Sequence, residues 1–207
     1  MNPNPVSDVI SFLLQPGWTT VVYWLLAFAS VAIAAYAWRR TLPAQRSLIQ
    51  IGNWAMRFLV GSMWWQQSLW KLPPDYAGLA YWMGQMGKHA AIPLQADFVN
   101  LIVLPHLSLF APIVYAAEVF TAASLILGLF VRVWALIGAA QILNLWLGLY
   151  SAPGEWPWTY FFLLILMSVF ALHRYGRSLG LDAIIVRRLI SQLNNARLSR
   201  RALAVGT

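Results

Sequence analysis

Cysteine is absent from the 207 residues. That excludes disulfides, thiol chemistry, iron–sulfur clusters and cysteine-based zinc sites within the chain. Charge is scarce as well, at 10% of residues, with 14 basic and 6 acidic side chains. Of the 3 histidines, His106 and His173 border apolar runs at opposite faces of the inferred membrane and His89 lies in the intervening outer segment. No haem, iron–sulfur or metal centre is expected. The opening residues MNPNPVSDVI carry no basic region and no small-residue cleavage site, so the first apolar run reads as a retained helix rather than a signal peptide.

What is abundant is apolar surface: 60% of residues are hydrophobic and the mean hydropathy is +0.64, which describes an integral membrane protein. The apolar runs are Trp18 to Trp38, Ile49 to Trp70, Leu107 to Phe130, Val133 to Tyr150 and Trp158 to Leu172. They are continuous rather than alternating, so they predict helices and not barrel strands. The expected fold is all-α, a polytopic helical bundle. Arg39, Arg40 and Arg46 follow the first run, Arg132 separates the third from the fourth, and seven arginines follow the fifth. Asp8, Asp75, Asp97 and Glu155 fall on the other side with Lys71 and Lys88. This asymmetry places the N-terminus outside and the C-terminus in the cytoplasm, and the membrane is expected to be the inner membrane of a bacterial or archaeal cell. The net charge of +8 then reports topology and contact with anionic lipid, not nucleic-acid binding.

Between the second and third runs, Tyr76, Leu79, Ala80, Met83 and Gly87 recur at helical spacing and predict an interfacial helix on the outer leaflet. A second apolar piece, Asp97 to Leu104, ends at Pro105, and Pro112 is expected to kink the following helix. Beyond Gly180, the arc of Leu181, Ile185, Val186, Leu189, Ile190 and Leu193 beside Arg187 and Arg188 predicts a helix lying on the inner leaflet, or a docking face for a partner.

Glu118 is the only acid in its apolar run and Arg57 the only charge in its own. An ionisable group in hydrocarbon costs several kcal/mol and needs a partner, so these two are expected to pair near mid-membrane. Counted from the outer ends of their runs, they lie at about 15 and about 20 Å. Asn53, Arg57, Gly61, Trp64 and Ser68 share one helix face, with Trp65 beside it. Tyr115 and Glu118 share a second face, and Gln141 and Asn144 a third. Together they predict either a pocket for a quinone headgroup, a proton or an anion, or a neutralised pair that only fixes helix register. The 12 tryptophans crowd the outer half at Trp18, Trp64, Trp65, Trp70, Trp146, Trp156 and Trp158. They read as an interfacial belt or, together with Tyr150, Tyr160 and Met63, as the stacking walls of a ring site.

These residues resemble the DoxX/DoxD family, and within it the DoxD-type small subunits of thiosulfate:quinone oxidoreductases. The resemblance is carried by RFLVGSMWWQQSLWKL (Arg57 to Leu72), Phe98 to Leu136, NLWLGLY (Asn144 to Tyr150), EWPWTYFFLL (Glu155 to Leu164) and GRSLGLD (Gly176 to Asp182). Glu118, followed by Gly128 and Arg132, is its most specific element, and the spacing of Arg57 and Lys71 the next. It implies a four-helix membrane core, here over 51–175; residues 1–50 depart from it by adding one N-terminal transmembrane helix, and 176–207 read as a basic amphipathic tail. It also implies a link to the quinone pool and a second, DoxA-like subunit or another respiratory-complex subunit.

The expected function is that of a membrane subunit of a quinone-linked oxidoreductase, with catalytic Glu118 and Arg57 and a quinone or substrate site formed by Trp64, Trp65, Asn53, Tyr115, Gln141, Asn144, Lys71, His106 and Arg132. Lys71, Lys88 and His106 lend the outer mouth positive character for an anion such as thiosulfate. The alternative is a non-catalytic anchor of a larger complex, because the chain has no redox group of its own beyond bound quinone. A transporter is the third reading, weakened by the lack of an inverted repeat.

Overall fold

The structure is a computed structural model that describes residues 4–40 and 45–192, and every regular element among them is helical. The helices are α1 (Pro5–Leu14), α2 (Trp18–Arg40), α3 (Leu48–Ser68), α4 (Ala77–His89), α5 (Pro93–Phe98), α6 (Leu107–Leu127), α7 (Val131–Gly148) and α8 (Pro157–Leu172), followed by α9 over residues 181–192. Short 3₁₀ turns occupy Leu69–Lys71 and Tyr175–Arg177, and a π-helical turn joins α5 to the approach of α6.

Local chemistry sets the ends. Asn4 accepts from the Val6 amide at 3.0 Å with Pro5 behind it, which starts α1. Ser47 caps α3 by accepting from the Gln50 amide at 3.3 Å, and Pro157 opens α8. Gly128, at φ +73°, ends α6 in the left-handed conformation, where a β-carbon is costly. Pro112 lies inside α6 without ending it. Helix α1 was not anticipated, although its Asn-Pro start and Asp8 in the first turn are sequence signals for one.

Helices α2, α6 and α7 are long and apolar enough to cross a bilayer. Helix α3 is 21 residues long, but Gln50, Asn53, Arg57, Gln66 and Gln67 make it the polar helix of the bundle. Helix α8 is strongly apolar but only 16 residues long. By length and composition, three candidate crossings therefore stand where five were expected.

Helix α3 packs most extensively on α6, and α7 on α8, while α6 also contacts α2 and α7. The α3–α6 approach is close because Gly61 has no side chain: a β-carbon there would stand 2.9 Å from the Ile126 amide nitrogen. Small residues at such crossings let backbones meet and gain dispersion contacts, the main attraction available where lipid replaces water. Trp64, Trp65, Leu125, Ile126, Met167 and Phe170 form the core around this seam. Helix α4, expected to lie flat on a leaflet, instead turns Leu79, Met83 and Met86 inward. There they bury with Val99, Val103, Ala111 and Leu149 in a second cluster across one end of the bundle.

At the opposite end, the segment 176–182 docks on the α6–α7 turn. The Asp182 carboxylate accepts from the Phe130 and Val131 amides at 2.9 and 3.4 Å, and its own amide donates to the Gly128 carbonyl at 2.8 Å. This caps α7 at its positive end. In α9, residues 181–186 are half-buried and Leu189 and Ile190 exposed. Leu193 and the rest of the tail lie outside the described residues.

Candidate functional site

Residue Arg57 does not meet Glu118. Its guanidinium is fully buried, and Nη1 donates to the carbonyls of Leu125 and Ile126, the latter at 3.2 Å. These are unpaired carbonyls of the last turn of α6, where a cation is favoured by the helix dipole. Ser30 of α2 donates to the same Ile126 carbonyl at 2.6 Å and itself accepts from Trp54 at 3.2 Å. The acid whose charge bears on Arg57 is Asp182.

The expected pairing fails because the two helices are staggered. Gly61 lies level with Leu125 and Ile126, so Arg57, one turn earlier in the antiparallel α3, faces the end of α6. Glu118 sits eight residues back along α6 from Ile126, about 12 Å at 1.5 Å per residue. Distances counted from the ends of two apolar runs assumed that those ends were flush.

Glu118 is partnered instead by Lys71, which stands just past α3 in the 3₁₀ turn. The two form a buried ion pair. The Lys71 ammonium lies over the Trp70 ring, 4.3 Å from its centroid, so a cation–π contact helps hold the charge in place. Burial pushes the Lys71 ammonium below its ordinary range, and the Glu118 carboxylate opposes that shift. The second carboxylate oxygen of Glu118, Oε2, has no hydrogen-bond partner among the described residues, and the same holds for Oε1 of Gln141.

Both residues line a cavity of about 440 Å³ between α3, α4, α6, α7 and α8. Trp64, Trp70, Trp82, Met83, Met86 and Leu163 give it apolar and aromatic walls, and Lys71, Gln67, Asn144 and Tyr160 bring further polar groups. Trp64 is fixed by donating to the Met167 sulfur at 3.3 Å. Tyr160 donates to Glu155 at 2.7 Å. Asn144 is held from outside by Gln95, whose amide nitrogen reaches its carbonyl and side-chain oxygens at 2.9 and 2.8 Å. A cavity of this size with apolar walls and a few convergent polar groups suits an amphiphilic small molecule.

Of the expected site residues, the structure brings Glu118, Lys71, Trp64, Gln141 and Asn144 together on this cavity. The others lie elsewhere. Trp65 is buried in the core. Tyr115 packs edge-on to Tyr76. Asn53 donates to Ser178 at 3.2 Å near the far end of the bundle. His106 is exposed, with Nδ1 2.9 Å from the Ile102 carbonyl. Arg132 donates to the Ala171 carbonyl at 2.9 Å and so caps α8. Tyr160 and Met63, expected as ring walls, line it as well, whereas Trp82, Met86 and Glu155 were missed. The loop that carries Glu155 was legible as an aromatic, partly polar segment, but nothing in its spacing directs the carboxylate inward.

No family model, curated protein or solved structure matches this chain.

Proposed function

We propose that this chain is a quinone-binding membrane subunit of an oxidoreductase, with the headgroup taken up in the cavity beside Lys71 and Glu118. The observation that carries the reading is a buried ion pair opening onto an aromatic-walled cavity of about 440 Å³. The donor set fits both redox forms of the ligand. The Lys71 ammonium can donate to a quinone carbonyl, and the two unpartnered acceptors, Glu118 Oε2 and Gln141 Oε1, can receive the hydroxyls of the quinol. Trp64, Trp70 and Trp82 offer faces for the ring. A bound quinone supplies two-electron, two-proton chemistry, and the electrons come from a reductant or partner subunit, since the chain has no cysteine. Glu118, paired with a lysine that burial disposes to give up its proton, is the group suited to exchange protons with the ligand.

The wider reading joins this site to the DoxX/DoxD resemblance. It comprises five membrane crossings, α2, α3, α6, α7 and α8, with α2 added to a four-helix core. The N-terminus is outside and the C-terminus cytoplasmic in a bacterial or archaeal inner membrane. A second, DoxA-like or respiratory subunit brings electrons from a reductant such as thiosulfate. The competing anchor reading gives the cavity to packing lipid.

A short-chain ubiquinone analogue titrated into the purified chain in lipid nanodiscs separates the two. Saturable quenching of tryptophan fluorescence is expected, weakened about tenfold by Trp64→Ala and by Glu118→Gln, the scale of one lost stacking or hydrogen-bonding contact. Absence of saturable quenching, or equal affinity in wild type and both variants, would leave the anchor reading standing.

A further inference from the structure

At the other end of the bundle, α2 and α9 enclose a recess of about 380 Å³ lined by Arg40, Arg187 and Arg188, with Tyr36, Ser191 and Gln192. Three guanidinium groups from two helices converge there, and among the described residues no carboxylate lines the recess. None of the three arginines makes an ion pair or side-chain hydrogen bond with another described residue. Their neighbours are otherwise engaged: Arg46 donates to the carbonyls of Trp38 and Arg39 at 3.0 and 3.3 Å, and Asp182 is committed to the start of α7. Like charges held together without an anion repel one another, so the arrangement is favourable when an anion completes it.

The surroundings say where that anion comes from. Val21, Leu25, Phe28, Ala32 and Tyr36 are all exposed along α2, and their spacing of three or four residues forms one stripe that ends at the recess. Leu189 and Ile190 are exposed on α9 beside it. We propose that this is a binding site for one anionic phospholipid, its phosphate gripped by Arg40, Arg187 and Arg188 and its acyl chains laid along the stripe of α2. Guanidinium groups suit the task because their planar donors engage phosphate oxygens in pairs, and Tyr36, Ser191 and Gln192 can add hydrogen bonds to a glycerol headgroup. The site is independent of the quinone cavity, which lies at the α4 end.

The test uses the full-length chain in detergent, offered equal amounts of phosphatidylglycerol and phosphatidylcholine and examined by native mass spectrometry. One phosphatidylglycerol retained per chain in preference to phosphatidylcholine is expected. The triple variant Arg40→Gln/Arg187→Gln/Arg188→Gln should weaken that retention by roughly a hundredfold, as about equal contributions from three arginines would. Arg174→Gln/Arg177→Gln, which removes two arginines from a different recess, should leave it unchanged. The triple Arg→Lys variant, which keeps the charge, should fall between and guards against misfolding of the glutamine variant. Equal retention of both lipids, or loss in the Arg174/Arg177 variant as large as in the triple one, would overturn the proposal. So would inorganic phosphate displacing the lipid at millimolar concentration, since the site would then be one for a free anion.

Discussion

Gly128 lies so close against Arg57 that a β-carbon on the glycine would stand 2.6 Å from Nη1 of the arginine. The glycine also touches Gly180, whose Cα would lie 2.6 Å from the same β-carbon. The end of α6, the buried guanidinium and the segment leading into α9 thus share one crowded point. Gly128→Ala meets two penalties there, the left-handed backbone at φ +73° and the contact with Arg57. It should destabilise the chain by roughly 2 kcal/mol or more, seen as a lower thermal midpoint in detergent. An unchanged midpoint would mean that Arg57 is not held at this turn.

The two buried cations should behave differently toward Glu118. In a double-mutant cycle, Lys71→Met and Glu118→Gln should couple by about 1 kcal/mol or more, because either change alone leaves an uncompensated charge. Arg57→Met and Glu118→Gln should add within about 0.5 kcal/mol, as distant sites do. A strong coupling of Glu118 to Arg57 with none to Lys71 would restore the pairing expected from sequence.

The contrast between those expectations and the fold has physical causes. Continuous apolar runs located α2, α6, α7 and α8 within a few residues, because a helix in lipid satisfies its backbone internally and must be apolar along its length. The same logic marked Glu118 as needing a partner. It could not choose the partner, since that depends on the stagger of α3 against α6, which is set by Gly61 and Ile126 packing across the seam. Lys71 was assigned to the outer mouth because it lies beyond the apolar run, yet a flexible four-carbon stem carries its charge well away from its own backbone. The cavity residues Trp82 and Met86 were illegible for a related reason: α4 has an apolar face, but only the tertiary fold decides whether that face meets lipid or the bundle.

Asp182 ties α9 to the start of α7 through two backbone amides. Asp182→Ala should cost about 1 kcal/mol, as the loss of a helix cap does, and Asp182→Asn less, since an amide oxygen still accepts. Hydrogen–deuterium exchange should then rise at Val131 to Val133 and at the segment 176–182, while the α4 end of the bundle stays protected. Uniformly faster exchange over the whole chain would show instead that the contact supports the entire fold.

Helix α8 is the shortest of the five proposed crossings: its 16 residues rise only about 24 Å against a hydrocarbon core of roughly 30 Å. Its ends carry the residues that would let it reach across. Trp156 and Trp158 are exposed at one end and His173 and Arg174 at the other, a pattern of interfacial anchors able to draw the two leaflets together. A cysteine-free chain needs no background mutations for single-cysteine labelling. In sealed, oriented vesicles, Pro153→Cys should react with a membrane-impermeant maleimide from the outer side, and Arg174→Cys only after the inner side is opened. Labelling of both positions from one side would show that α8 returns without crossing, and the five-helix topology would have to be abandoned.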